Sequence, residues 1–149
     1  MTDLVTDDDL LTIAQAVARQ KLAKGTAIAD KYLAQQALQG LLQTRDREIF
    51  AALFLDNQHR ILAYEELFLG PLSAATVYPR DVVKRALHHN AAALMLAHNH
   101  PSGYPEPRRA DIEITQRLQD ALALMDIRTL DHLVVGTEGV VSLAERGYC

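Results

Sequence analysis

The chain has 149 residues, enough for one domain with a buried core and too few for two domains of ordinary size. Hydrophobic residues make up 49% of the sequence, so we expect a folded globular protein rather than a disordered one. The formal net charge is −4 and no basic run exceeds two residues, which disfavours nucleic acid as the main partner.

The cysteine content and the N-terminus bear on the compartment. Cys149 is the single cysteine, so no disulfide can form within the chain and a reducing environment is favoured. The first residues are acidic where a signal peptide would be basic and then apolar. No apolar run approaches the ~18–20 residues that a bilayer span needs. We therefore expect a cytoplasmic location and no membrane partner.

In the first half of the chain, the spacing of apolar residues changes from helical to strand-like near residue 48. Helical periodicity covers residues 7–24 and about 27–42. Short apolar runs at 48–56 and 60–70 flank a polar turn and predict a β-hairpin. Residues 71–78 are a candidate for a third strand.

The second half alternates between the two kinds of element. Its pattern predicts helices over about 79–89 and 108–124, and strands over 91–97, 127–136 and 139–145. The order of elements predicts an α/β or α+β domain, in which helices pack on a mixed sheet.

Two histidines and an aspartate follow the apolar run 91–97. His98 and His100 are two residues apart, so in a strand both imidazoles point to the same side. Asp111 comes eleven residues after His100, and the proline-rich loop between them is long enough to bring it back. Two imidazoles and a carboxylate suit a divalent ion, with zinc the first candidate, and leave one position open for water. The alternative is a pair of hydrogen-bonded core histidines.

A metal-bound water needs a base that takes its proton. Glu48, Glu65 and Glu66 lie on or beside the predicted hairpin, and at most one of the adjacent pair can face a site. His132 lies in a later predicted strand, where a structural role is the simpler interpretation and a contact to a metal ligand is the alternative.

Several segments resemble a known family in the right order. The stretch "AHNHPSG" with Pro105, Pro107 and Asp111 resembles the signature of RadC-like proteins in the JAB/MPN metallopeptidase group, which carries the JAMM motif. The segments "EIFAALFLDNQHRILAYEELFLG", "DIRTLDHLVVG" and "SLAERG" are similar to the same family. The resemblance covers about residues 27–149 and leaves residues 1–26 as an N-terminal helical extension.

This resemblance implies a curved mixed β-sheet flanked by helices, with cytidine-deaminase-like layering. It implies one zinc ion per chain, held by His98, His100 and Asp111, and places Glu48 as the catalytic glutamate. The related active enzymes cleave peptide or isopeptide bonds through a metal-bound water, so the implied partner is a peptide or protein substrate.

The sequence departs from the family pattern at two places. The motif usually has a serine three residues before the aspartate, and Arg108 stands there instead. Arg108 or the nearby Ser102 could support the oxyanion of the reaction, or the change could mark an inactive MPN-like interaction module. Residues 7–24 contain no glycine-rich hairpin of the kind that family members often carry, which weakens the third alternative, a DNA-repair accessory protein.

Overall fold

The structure is a computed structural model that describes residues 5–28, 30–73 and 76–149. Within these ranges the chain forms α1 (Asp7–Lys21), α2 (Lys31–Leu42), β1 (Ile49–Leu55), β2 (Ile61–Leu69), α3 (Pro79–His88), β3 (Ala93–Asn99), α4 (Arg109–Ala123), β4 (Arg128–Gly136) and β5 (Gly139–Ser142). None of the helices in the described ranges is both long enough and apolar enough to cross a membrane.

The five strands form one mixed sheet in the order β2-β1-β3-β4-β5. The pair β3–β4 is parallel, and the other three pairs are antiparallel. Every residue of the central strands β1 and β3 is buried, which explains their continuous apolar sequences. The predicted mixed sheet flanked by helices is confirmed.

Alternation along the strands divides the core between the two faces of the sheet. One cluster joins α1 and α2 to a face that includes Leu53, Met95 and Leu133. The other joins α3 and α4 to the opposite face, which includes Phe54 and Leu96. Even-numbered β3 residues therefore face α4, so the topology directs His98 towards that helix.

Local capping sets where the first two helices begin. The Thr6 side chain accepts a hydrogen bond from Asp9 N–H at 3.0 Å and starts α1. The second predicted helix begins at Lys31 rather than near residue 27, because the Asp30 carboxylate accepts from Tyr32 N–H at 2.8 Å and Ala27 pairs with Arg60 instead.

The predicted strand over residues 71–78 was wrong for the part that the structure describes. Ala74 and Ala75 lie outside the described residues, and the flanking positions form a turn instead of a strand. Thr76 Oγ1 donates to Pro71 O at 2.9 Å and accepts from Ser73 N–H at 2.9 Å. These local hydrogen bonds replace the pairing that a strand would need.

The last strand is shorter than predicted and ends at Ser142 rather than near residue 145. The buried carboxylate of Asp131 accepts from Ser142 Oγ at 2.6 Å and from Ala144 N–H at 3.0 Å. Since these bonds satisfy the polar groups after β5, the chain turns there instead of continuing the ladder.

Candidate metal centre

His98, His100 and Asp111 meet at the carboxyl end of β3. His98 Nε2 lies 3.1 Å from His100 Nε2 and 3.1 Å from Asp111 Oδ1. His100 Nε2 lies 3.2 Å from Asp111 Oδ2. All three residues are buried, and their ligand atoms lie within 4.8 Å of one another. The structure therefore brings together the three residues that the sequence spacing selected.

The loop after His100 is held against the end of β4. His100 N–H donates to Val135 O at 2.8 Å, and Glu138 N–H donates to Gly103 O at 3.0 Å. Gly103 has a φ of +89°, and a Cβ on Gly136 would lie 2.2 Å from Gly103 O. This close approach requires glycine at residue 136 and fixes the path that returns the chain to Asp111.

Asp111 lies in the first turn of α4, where its carboxylate accepts a hydrogen bond from Arg108 N–H at 2.7 Å. A carboxylate is favoured there because the first N–H groups of a helix carry partial positive charge. The helix terminus therefore stabilises Asp111 as an anion although its side chain is buried.

The donor set fits a divalent cation in chemistry and in spacing. Zinc bonds of about 2.0 Å at tetrahedral angles place neighbouring ligand atoms roughly 3.3 Å apart, close to the separations of 3.1, 3.1 and 3.2 Å found here. Burial lowers the pKa of His98, although Asp111 opposes that effect, and the neutral imidazole is the form that binds metals. This buried group could hold a metal ion.

Glu48 lies directly before β1, at the same end of the sheet. Its side chain is 12% exposed, and Glu48 Oε2 accepts from Leu72 N–H at 3.0 Å. A surface depression opens beside it, lined by Asp46, Arg47, Glu48, Gly70, Pro71 and Pro101. Glu48 thus borders this depression, whose lining also includes Pro101, the residue after His100.

Arg108 bridges Glu48 and Asp111. Its Nη1 lies 2.9 Å from Glu48 Oε1, and its Nη2 lies 3.2 Å from Asp111 Oδ1. Burial of the guanidinium would lower its pKa, but the hydrogen bonds to Glu48 and Asp111 outweigh burial and raise it. A permanent positive charge therefore lies between the candidate base and a candidate metal ligand.

The other sequence candidates lie elsewhere. Ser102 is exposed, and its Oγ accepts from Tyr104 N–H at 3.4 Å. Glu65 accepts from Arg85 on α3 at 2.6 Å. Glu66 pairs with Arg45 at 2.8 Å. Of the three glutamates considered from sequence, Glu48 is the one that the structure joins to the triad through Arg108.

Three buried polar residues around the triad were missed or undervalued from sequence. Asn99 accepts from Ile49 N–H at 2.6 Å and donates to Arg47 O at 2.9 Å, so it fastens the end of β3 to the segment that carries Glu48. His132 contacts His98 Nδ1 at 2.7 Å, and Thr115 contacts His132. Asn99 lies between the two histidines in the sequence, so its position could have indicated a supporting role. Nothing in the sequence links Thr115 to His132.

Comparison with known proteins identifies the family to which this sequence is similar. A family model described as "RadC-like JAB domain" matches residues 28–148. UPF0758 proteins of Cellvibrio japonicus and Vibrio parahaemolyticus are 55% and 56% identical over 139 residues, which is 93% of this chain. A UPF0758 protein of Vibrio cholerae is 55% identical over the same length.

The chain spans 62% of the length of these curated relatives. The family model covers more than half of the chain and includes every residue of the buried triad and Glu48. The resemblance seen in the motifs is confirmed, and the chain belongs to the RadC-like JAB domain family.

Proposed function

We propose that the chain is a zinc-dependent hydrolase of peptide or isopeptide bonds. The observation that carries the proposal is the convergence of His98, His100 and Asp111, with Glu48 linked to them through one arginine. His98, His100 and Asp111 would hold one zinc ion. When bound, that ion would supply Lewis-acid polarisation and lower the pKa of water to about 7.

Glu48 is the proposed general base. Its carboxylate is mostly buried, yet Glu48 lines the depression through which we expect substrate and water to enter. The Leu72 N–H bond holds Oε2 in place, so the carboxylate can accept a proton without first reorienting. It would then donate that proton to the leaving amine.

Arg108 is the proposed electrostatic partner of the reaction. Its guanidinium presents up to five N–H donors beside Glu48, and such donors stabilise negative charge that develops on a carbonyl oxygen. Ser102 is the weaker candidate for the same role, because its side chain is exposed on the loop.

The substrate class, the location and the division of the chain into two parts belong to the same proposal. The substrate would be a peptide or a protein, the location cytoplasmic, and residues 27–149 the hydrolytic domain with residues 1–26 as an extension. The named relatives are longer than this chain, so the activity of the whole protein belongs to the proposal as well.

A second candidate is a non-catalytic MPN-like interaction module. The contact of Arg108 with both Glu48 and Asp111 favours it, since this cation neutralises the carboxylates that catalysis and metal binding require. In that case the Arg108 guanidinium would supply part of the positive charge that a metal ion otherwise provides.

Peptide hydrolysis by metal-loaded protein separates the two candidates. Glu48→Gln should abolish cleavage while zinc stays bound, whereas Glu65→Gln serves as the control because Glu65 pairs with Arg85 outside the triad. Equal cleavage rates in wild type and Glu48→Gln would contradict the role of Glu48 as the base. No cleavage by zinc-loaded wild type across a peptide and isopeptide panel would favour the interaction module.

A further inference from the structure

A buried chain of polar contacts runs from His98 back to the helix that carries Asp111. His98 Nδ1 lies 2.7 Å from His132 Nε2. His132 Nδ1 contacts Thr115 Oγ1, which lies 2.7 Å from the backbone carbonyl oxygen of Asp111. His98, Thr115 and His132 are each 0% exposed, so bulk solvent does not reach these contacts.

The carbonyl at the end of this chain decides where each proton lies. A carbonyl oxygen can only accept, so the Thr115 hydroxyl proton is donated to Asp111 O. Because that is its single proton, the contact with His132 requires Nδ1–H of His132 to donate to Thr115 Oγ1. The neutral His132 ring then has an unprotonated Nε2, which accepts from His98 Nδ1–H.

The neutral state of His132 follows from its surroundings. His132 is 0% exposed, and a buried imidazolium with no carboxylate bonded to it would be costly. Within the described residues, the hydrogen-bond partners of the ring are an imidazole and a hydroxyl rather than a carboxylate. The Phe50 ring packs edge-on against it with centroids 5.6 Å apart, which restricts its rotation.

The tautomer of His100, the second histidine of the triad, is set by a separate group. His100 Nδ1 lies 3.0 Å from the carbonyl oxygen of Tyr104, so this nitrogen is the protonated one. Both triad histidines thus have Nδ1–H committed to an acceptor. Each then presents an unprotonated Nε2 towards the Asp111 carboxylate, and a bound cation would satisfy these three acceptors together.

We propose that His132 and Thr115 are positioning residues that hold His98 in the Nδ1–H tautomer and so present its Nε2 lone pair as a metal ligand. This inference rests on the metal-binding part of the proposed function. It adds a hydrogen-bond relay that runs from the α4 backbone, through the side chains of Thr115 and His132, to the ring of His98. An outer hydrogen bond of this kind fixes ring orientation and raises the basicity of the ligand nitrogen.

The opposite arrangement of protons has a definite structural cost. It would place Nε2–H of His98 towards Asp111 and turn the Thr115 hydroxyl proton towards His132. Thr115 Oγ1 and Asp111 O would then face each other at 2.7 Å with no proton between them, so the lone pairs of the two oxygens would repel each other. The two arrangements differ at every nitrogen of His98 and His132.

Long-range 1H–15N correlation NMR on protein stripped of metal by a chelator reads these nitrogens directly. We expect protonated Nδ1 and unprotonated Nε2 signals for both His98 and His132. In Thr115→Val the His132 pattern should change, because Nδ1–H loses its acceptor, whereas Thr115→Ser should retain it. Observation of His98 with a protonated Nε2 in the wild type would overturn the proposal.

Zinc affinity, measured by competition with a chromophoric chelator, gives the second readout. Loss of such an outer hydrogen bond typically costs 10–100-fold in metal affinity, so we expect that loss in His132→Phe. His132→Gln retains an acceptor for His98 Nδ1–H and should recover most of the affinity, as should Thr115→Ser relative to Thr115→Val. Unchanged affinity in His132→Phe and Thr115→Val would contradict the positioning role.

The two experiments also separate this inference from the proposed function. If wild-type protein bound no zinc, the proposed function would fail, while the NMR spectra would still report whether the relay fixes the tautomer. If wild-type protein bound zinc but the wild-type spectra showed the opposite tautomer, the relay would fail and the metal site would stand.

Discussion

Asn99 N–H and carbonyl groups belong to β3, but its side chain binds the backbone that begins β1: Asn99 Oδ1 accepts from Ile49 N–H at 2.6 Å. The same amide donates to Arg47 O at 2.9 Å. Because Glu48 lies between those two bonded residues, Asn99 sets the position of the proposed base relative to His98 and His100. One residue of the "HNH" tripeptide thus supports the base, while its two neighbours supply two of the three triad residues.

Replacement of Asn99 by alanine should therefore lower stability and activity together. The buried Ile49 N–H would lose its partner, which costs about 1–3 kcal/mol, and the part-buried Arg47 carbonyl would lose a bond that water can replace. Urea unfolding should show a loss in that range, and hydrolysis by the zinc-loaded variant should fall. Asn57→Ala, in an exposed turn, is the matched control, and an equally small change in both variants would contradict this role.

The role of Arg108 in catalysis can be tested by substitution, with Arg109 as the control. Arg108→Ser restores the residue that the family motif usually has, and we expect about a 10²-fold loss in kcat if the guanidinium supports the oxyanion. Zinc affinity should not fall, because the variant removes a cation 3.2 Å from Asp111 Oδ1.

Arg109→Ser provides the control for that experiment, since Arg109 is 91% exposed in its side chain and pairs with Glu113 at 2.9 Å. It should leave hydrolysis and zinc binding unchanged. A gain of activity in Arg108→Ser alone would instead indicate that Arg108 restrains Glu48.

The Glu65 contacts predict a pH-dependent contribution to stability. Burial would raise the Glu65 pKa, but hydrogen bonds from Arg85 and His89 outweigh it and lower the pKa below its usual value. A carboxyl with a lowered pKa in the folded state stabilises the protein above its unfolded pKa of roughly 4.3 and loses that contribution as pH falls.

Glu65→Gln should therefore reduce the free energy of unfolding by about 1 kcal/mol or less near neutral pH, with the difference shrinking below roughly pH 4. Urea denaturation of both proteins across this pH range measures it. A deficit that grows as the pH falls would contradict the predicted sign.

The triad was predictable because its information is local. The i, i+2 spacing of His98 and His100 on a strand puts both rings on one side, and the loop length allows Asp111 to return. The mixed sheet was predicted in the same way, from the order in which helical and strand-like spacings of apolar residues follow along the chain. These inferences depend on short-range geometry, which the sequence carries directly.

The supporting contacts could not be predicted because they join distant elements. Thr115 on α4 meets His132 on β4 only after both pack on the sheet, and Asn99 meets Ile49 only through the β1–β3 pairing. The error over residues 71–78 has a different origin, since local side-chain bonds of Thr76 outweighed a weak apolar pattern. The roles of Glu48, Ser102 and Arg108 in catalysis stay predictions.

Elemental analysis of the protein, purified without a metal-binding tag and dialysed against zinc, tests the central claim most directly. We predict about one zinc per chain in wild type, no stoichiometric zinc in His98→Ala, and unchanged content in His88→Ala, which alters an exposed histidine at the end of α3. Absence of zinc from the wild-type protein, or equal content in wild type and His98→Ala, would contradict the account.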